Sequence, residues 1–177
     1  FTYSETKPIK FNPVYIGEGD LLDTEKKESI KTLLLALWKK DNETFNRSEY
    51  VALSNALQLY FEKVEKDKNI FPCFNSFYEF LKEDFVEKLK GDNVKDKDFD
   101  VSNFLYVLRP YYKGGEFDYL LNADENLDLL QQRFIVFELD NIKDHPILFP
   151  VVTIIIMEVF ISKMRKLKGI RKMILIE

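Results

Sequence analysis

The chain has 177 residues, 46% hydrophobic and 15% aromatic, enough to bury the core of one ordinary domain, and its 32% charged residues give no sign of wholesale disorder. A formal net charge of −4 argues against nucleic-acid binding by overall field. One cysteine, Cys73, excludes an internal disulfide and fits a reducing compartment, and the one histidine, His145, leaves no zinc site of the usual kind.

In chain order, residues 1–4 and 10–16 have the alternation and the β-branched or aromatic content of short strands, separated by Pro8 and closed by Gly17 and Gly19. Pro13 demotes the second to an edge strand or an irregular crossing. The period then changes. Residues 26–40 carry Ile30, Leu33, Leu34, Leu37 and Trp38 at spacings of three and four, which predicts a helix with these on one face. Asn46 followed by Glu49 predicts a capping box and a helix to about Lys66, with Val51, Leu53, Ala56, Leu57, Tyr60, Phe61 and Val64 inward. Ser76 and Glu79 repeat the signal ahead of Phe77, Phe80, Leu81, Phe85 and Leu89. Residues 91–98 are polar and read as a surface loop. A shorter helix over 101–108 stops at Pro110, and 116–121 forms a further turn or two.

Arg133 to Asp140 is again a β-type run, and so is Lys172 to Ile176, with a long apolar segment between them. That order predicts two parallel strands joined by a crossover helix, because parallel neighbours need a connection of a dozen or more residues. Asp144 is placed to cap the crossover helix, Pro146 is tolerated in its first turn and Gly169 ends it. Pro150, Thr153 and Glu158 interrupt it, so the apolar run falls short of the roughly 18 to 20 residues a membrane span requires. A buried core helix is the expectation. Six basic side chains fall between Lys163 and Lys172, where cations suit the solvated end of a helix.

The chemistry is defined first by what is missing. No pair of glycines has the G-x-x-x-x-G-K-[ST] spacing whose amides and lysine cradle phosphates. Gly114 and Gly115 read as a turn between helices, His145 as a structural residue and Cys73 as a packed thiol. Glu177 stands at the carboxyl end of a predicted parallel strand, the edge where ligands bind in open α/β folds and where an acid holds magnesium in nucleotide hydrolases. Many strands end in Glu, and Glu138 and Asp140 either line the same edge or mark a solvated strand end. The chain opens on Phe1 and closes on an apolar run that folded proteins bury, so it is expected to be a piece of a longer protein.

Together, Arg133-Phe-Ile-Val-Phe-Glu-Leu-Asp-Asn-Ile-Lys-Asp144, the apolar helix and Ile170-Arg-Lys-Met-Ile-Leu-Ile-Glu177 resemble the TraG-family conjugation ATPases of conjugative transposons, relatives of the large ATPase of type IV secretion systems. The resemblance extends through Leu108-Arg-Pro-Tyr-Tyr-Lys-Gly-Gly-Glu-Phe-Asp118 and back to Ile9-Lys-Phe-Asn-Pro13. In that family this stretch lies between the phosphate-binding loop and the magnesium-site strand, and a helical subdomain interrupts the nucleotide-binding domain. Only Glu177 carries over, as the first acid of the Walker B motif and so as the metal and cofactor residue; the family often has Asp there.

The resemblance implies an α+β, mostly helical fold: a helical insertion subdomain over 23–130, attached to an incomplete RecA-like P-loop sheet built from 1–22 and 131–177. It implies ATP and Mg as cofactors of the longer protein, with neither bound by this stretch alone and no catalytic residue within it. It further implies a homo-hexameric, cytoplasmic motor, peripheral to the inner membrane, that powers DNA transfer or pilus assembly with other secretion-channel components. The alternative is a non-enzymatic helical module that docks on such components, and an unrelated, mostly helical protein with a small sheet is a third reading.

Overall fold

The computed structural model of the chain describes residues 2, 8–17, 22–39, 43–126 and 132–176. They fall into two compact units, Lys10–Asn126 and a second made of Phe1–Ile9 with Leu127–Glu177.

The first unit is helical. Helix α1 (Thr24–Trp38) starts two residues before the predicted position because the Asp23 carboxylate accepts the Lys26 N–H at 2.8 Å. Its predicted apolar face is buried, and Lys31 and Leu35 are buried with it. Helix α2 (Arg47–Lys66) opens on the expected capping box. Asn46 Oδ1 accepts the Glu49 N–H at 2.8 Å, and Glu49 Oε2 accepts the Asn46 N–H at 2.9 Å. Val51, expected inward, is 47% exposed. The buried stripe runs through Leu53, Ala56, Leu57, Tyr60 and Phe61, and a residue two places before Leu53 points to the far side of the helix.

Helix α3 (Phe74–Phe80) is capped at Cys73, not at Ser76. Ser76 lies inside the first turn, where its Oγ accepts the Cys73 N–H at 3.1 Å and donates to the Phe71 carbonyl at 2.8 Å. The earlier start brings Phe74 into the buried set with Phe77. A π turn (Leu81–Phe85) leads into α4 (Val86–Gly91). Phe77, Leu81, Phe85 and Leu89 recur every four residues, which overruns a 3.6-residue period, and the wider π turn takes up the drift so that all four stay buried. Helix α5 (Val101–Leu108) occupies its predicted span and passes through Pro110 into a 3-10 turn, Arg109–Tyr111.

Trp38 is buried at the α1–α5 contact. Its ring meets Phe104 and Phe99 edge-on, with centroids 5.0 and 5.5 Å away, and its indole N–H donates to Asn103 Oδ1 at 2.7 Å. Of the two alternatives for 10–16, an edge strand or an irregular crossing, the structure has the irregular crossing. Phe11 donates its N–H to Leu120 O at 2.8 Å and accepts from Ala123 N at 3.2 Å, but Pro13 has no N–H to continue a ladder.

The fully buried Asn12 closes the unit. Its side-chain amide donates to Pro72 O at 2.8 Å and Ala123 O at 2.9 Å, while its Oδ1 accepts the Val14 N–H at 3.1 Å. Asn126 answers it: Asn126 Oδ1 accepts the Asn12 N–H at 2.6 Å and Asn126 Nδ2 donates to the Asn12 carbonyl at 2.8 Å. The two ends of the unit are thereby held side by side.

In the second unit the described residues form no strand, only an isolated parallel bridge between Thr2 and Glu138. The buried strands expected at 133–140 and 172–176 are therefore not present: Phe134 is 86%, Met173 89% and Leu175 79% exposed. A parallel strand is held by a continuous ladder and by cover on both faces, and among the described residues these runs form no ladder beyond that one bridge and leave much of their apolar surface exposed. A 3-10 turn, Asp140–Ile142, precedes helix α6 (Leu148–Lys166). The helix begins later than expected, with Ile147 and not Asp144 at its N-cap. Two residues upstream, His145 Nδ1 accepts the Ile147 and Leu148 N–H groups at 3.2 and 3.1 Å. Burial is a stripe of Leu148, Val151, Val152 and Ile155, not the whole circumference. The helix ends where the Lys172 ammonium bonds the Leu167 carbonyl and Gly169 turns the chain at φ +79°. Among the described residues no helix is long and apolar enough to cross a membrane.

Candidate functional site

Glu177, the predicted metal acid, lies outside the described residues. Glu138 is exposed and accepts a hydrogen bond from the Thr2 hydroxyl, and Asp140, also exposed, opens its 3-10 turn. No group of three or more His, Cys, Asp and Glu side chains among the described residues is arranged to hold a metal ion. His145 accepts the first N–H groups of α6, and Cys73 precedes α3 beside Ser76, with 3.8 Å between Sγ and Oγ.

The most organised polar surface is one that sequence reasoning missed as a site, although it lies within the segment 108–118 that carries the resemblance. Tyr112 stacks on Tyr78 with ring centroids 4.5 Å apart, and its hydroxyl donates to Glu79 Oε1 at 2.7 Å. Lys113 Nζ reaches the same oxygen at 2.5 Å, and the Lys113 N–H donates to Asn75 Oδ1 at 2.8 Å. The Arg109 guanidinium and Lys113 ammonium lie 5.2 and 5.3 Å from the Tyr112 ring. Helix α3 thus presents Asn75 and Glu79, one turn apart, to a single loop. In the sequence, Glu79 reads as part of a cap with Ser76, and Asn75 is not singled out.

The turn that follows demands glycine. A Cβ on Gly115 would stand 2.3 Å from the Pro110 carbonyl oxygen, and Gly114 adopts φ +74° while donating its N–H to Asp118 Oδ2 at 3.0 Å. Asn122 Nδ2 then donates to Asp118 O at 2.7 Å and Tyr111 O at 3.1 Å. Hydrogen bonds from Lys113 and then Tyr112 hold the Glu79 carboxyl below the usual carboxylate range. The same bond from the other side pushes Lys113 up to about 12. Glu79 is thus anionic and Lys113 cationic at neutral pH, so neither exchanges protons there. The arrangement positions a loop; it does no acid–base chemistry.

A second cluster has the outline of a serine–lysine pair. Lys31 Nζ lies 3.0 Å from Ser54 Oγ, 2.8 Å from the Tyr50 hydroxyl and 2.5 Å from Glu28 Oε1. Burial pulls Lys31 down, but hydrogen bonds to Glu28 and Tyr50 outweigh it and the net direction is up. A lysine held protonated is no base for a serine, so this cluster ties α1 to α2 and is not a nucleophilic site.

Neither cluster cradles a phosphate, and the whole sequence contains no G-x-x-x-x-G-K-[ST]. What places the chain in a class is its sequence as a whole, which is that of a P-loop nucleotide-hydrolase domain. The family model described as the TraG P-loop domain matches residues 1–177, and the chain belongs to that conjugation-related P-loop ATPase family. No curated protein and no solved structure matches it.

Proposed function

We propose that the chain is the part of a conjugation motor ATPase that lies between the phosphate-binding loop and the Walker B acid, Glu177. One observation carries this: the P-loop family model covers every residue from 1 to 177, yet the chain has no phosphate-binding loop of its own. The exposed runs 133–140 and 172–176 then become strands of a RecA-like sheet whose other strands lie elsewhere in a longer protein. Residues 23–130 are the helical insertion in that sheet. The longer protein binds Mg and ATP, assembles as a homo-hexamer on the cytoplasmic face of the inner membrane, and works with other secretion-channel components to power DNA transfer or pilus assembly.

With Glu177 at the carboxyl end of its strand, the carboxylate orients the waters of a magnesium ion bound to ATP. Glu177→Gln in the complete ATPase is expected to lower kcat on the order of a hundredfold or more, with little change in thermal stability. Wild-type turnover in that variant would remove the assignment. The 177-residue chain by itself is expected to hydrolyse no ATP, for want of the amides and lysine that cradle phosphates.

A second reading, a helical module for docking on other secretion components, is favoured by one feature: Lys10–Asn126 is a compact unit in itself. The two readings coexist if the insertion of the motor is its partner-binding surface.

A further inference from the structure

We propose that the cationic end of α6 and the turn after it, residues 163–172, form a docking surface for anionic phospholipid. The inference rests on the peripheral-membrane element of the function proposed above and names the surface responsible. Six of these ten residues are basic, and no acid stands between Glu158 and Glu177. Taking those six charges from the chain's net −4 leaves −10 for the remainder, so an anionic surface attracts this end and repels the rest.

The six differ in exposure. Lys163 and Lys172 are half-buried and hold the turn, Lys163 on the Gln132 carbonyl and Lys172 on the carbonyls of Leu167 and Met164. Arg165, Lys166, Lys168 and Arg171 are exposed. Set among them are two aliphatic side chains open to solvent, Met164 at 39% and Ile170 at 59% exposure. Cations around exposed aliphatic groups match the headgroup and acyl boundary of an anionic bilayer, where charge attracts and the aliphatic groups insert. A single-stranded nucleic acid would call for aromatic rings on which bases stack, and no aromatic residue follows Phe160. The apolar run 173–176 is no part of the surface; in the ATPase reading it belongs to a strand.

The test is partition of the purified 177-residue chain onto vesicles of phosphatidylcholine with and without phosphatidylglycerol, followed by co-sedimentation without nucleotide. Binding is expected only to the anionic vesicles and should fall as salt rises. Near such a surface each cation contributes about a fivefold factor, so Lys166→Gln, Lys168→Gln and Arg171→Gln together should weaken partition roughly a hundredfold. Lys90→Gln, Lys95→Gln and Lys97→Gln, in an exposed part of the helical unit, should leave it unchanged. Ile170→Ser should weaken it several-fold at constant charge. Circular dichroism checks the fold of each variant, and the salt dependence of the wild type tests the idea even if the triple variant does not fold. Equal binding to both vesicle types, no binding to either, or binding to a single-stranded oligonucleotide in preference to anionic vesicles would overturn the proposal. The assay contains no ATP, so its failure is separate from failure of the Glu177 assignment.

Discussion

Single side chains decide how the helical unit is closed, and Asn12 does the most. It is fully buried, and its amide serves two carbonyls, that of Ala123 buried and that of Pro72 partly so. Asn12→Ala would remove the partner of both, at about 1 to 3 kcal/mol for the buried Ala123 carbonyl and less for the part-buried one of Pro72. Asn12→Asp is expected to cost more, since an acceptor-only carboxylate would then face both carbonyls; urea unfolding of the two variants measures the order. Trp38 is the other anchor. Its ring sits against Phe99 and Phe104 and its N–H is satisfied by Asn103, so Trp38→Ala should cost about 3 to 5 kcal/mol. A change below about 1 kcal/mol would show that the α1–α5 contact does not depend on it. The inward place of Trp38 was legible from its spacing after Leu34 and Leu37. The burial of Asn12 was not, because nothing local in Phe-Asn-Pro says that residues 72, 123 and 126 will arrive around it.

At the scale of elements, helices with local signals were legible and junctions set by tertiary contact were not. The Asn46–Glu49 box marked the start of α2 because both partners lie within one turn. Ser76 and Glu79 have the same spacing, yet there the gain from burying Phe74 moved the start of α3 upstream and left Glu79 to the loop at 112–113. In the same way α6 has its N-cap at Ile147 and not at Asp144, and its first N–H groups go to His145. The clamp on α3 gives a pH prediction. Glu79 has its pKa lowered in the folded protein, so its contribution is present above the ordinary carboxylate value of 4.5 and is lost as pH falls through the depressed one. Lys113, raised to about 12, contributes fully below its ordinary 10.5 and loses its contribution as pH rises through about 12. Between these limits Glu79→Gln should lower the melting temperature by a constant amount, and the gap to wild type should close only in acid or strong alkali. A gap that varied between pH 6 and 9, well inside those limits, would show that another group titrates in the clamp.

For the molecule as a whole, the sequence separated a helical middle from β-type ends, and the helical middle is what the structure builds. Among the described residues the ends have the composition of strands but only one bridge of their pairing, because alternation and β-branching describe a fit to neighbours and supply none. Phe134, Met173 and Leu175 are exposed for that reason. The candidate acid was legible only as the last residue of such a run, and its chemistry depends on a phosphate loop that these 177 residues do not contain. By contrast, the loop at 109–118 is fully built, yet its Tyr-Tyr-Lys-Gly-Gly gave no chemical signal, since its polar groups are spent on one another.

The reciprocal bonding of Asn12 with Asn126 also bears on covalent topology. Where residues at or near the two ends of a unit lie within hydrogen-bonding distance, the order in which the chain visits the helices is nearly arbitrary. A circular permutant of Lys10–Asn126, with its old ends joined by a few Gly and Ser residues and new ones opened in the exposed stretch 92–97, should reach the same helical fold. Closing so short a gap costs little chain entropy, so its unfolding transition should remain cooperative and close to that of the unpermuted unit. By the same reasoning, an unrelated domain with equally close ends could be spliced in at the same two positions.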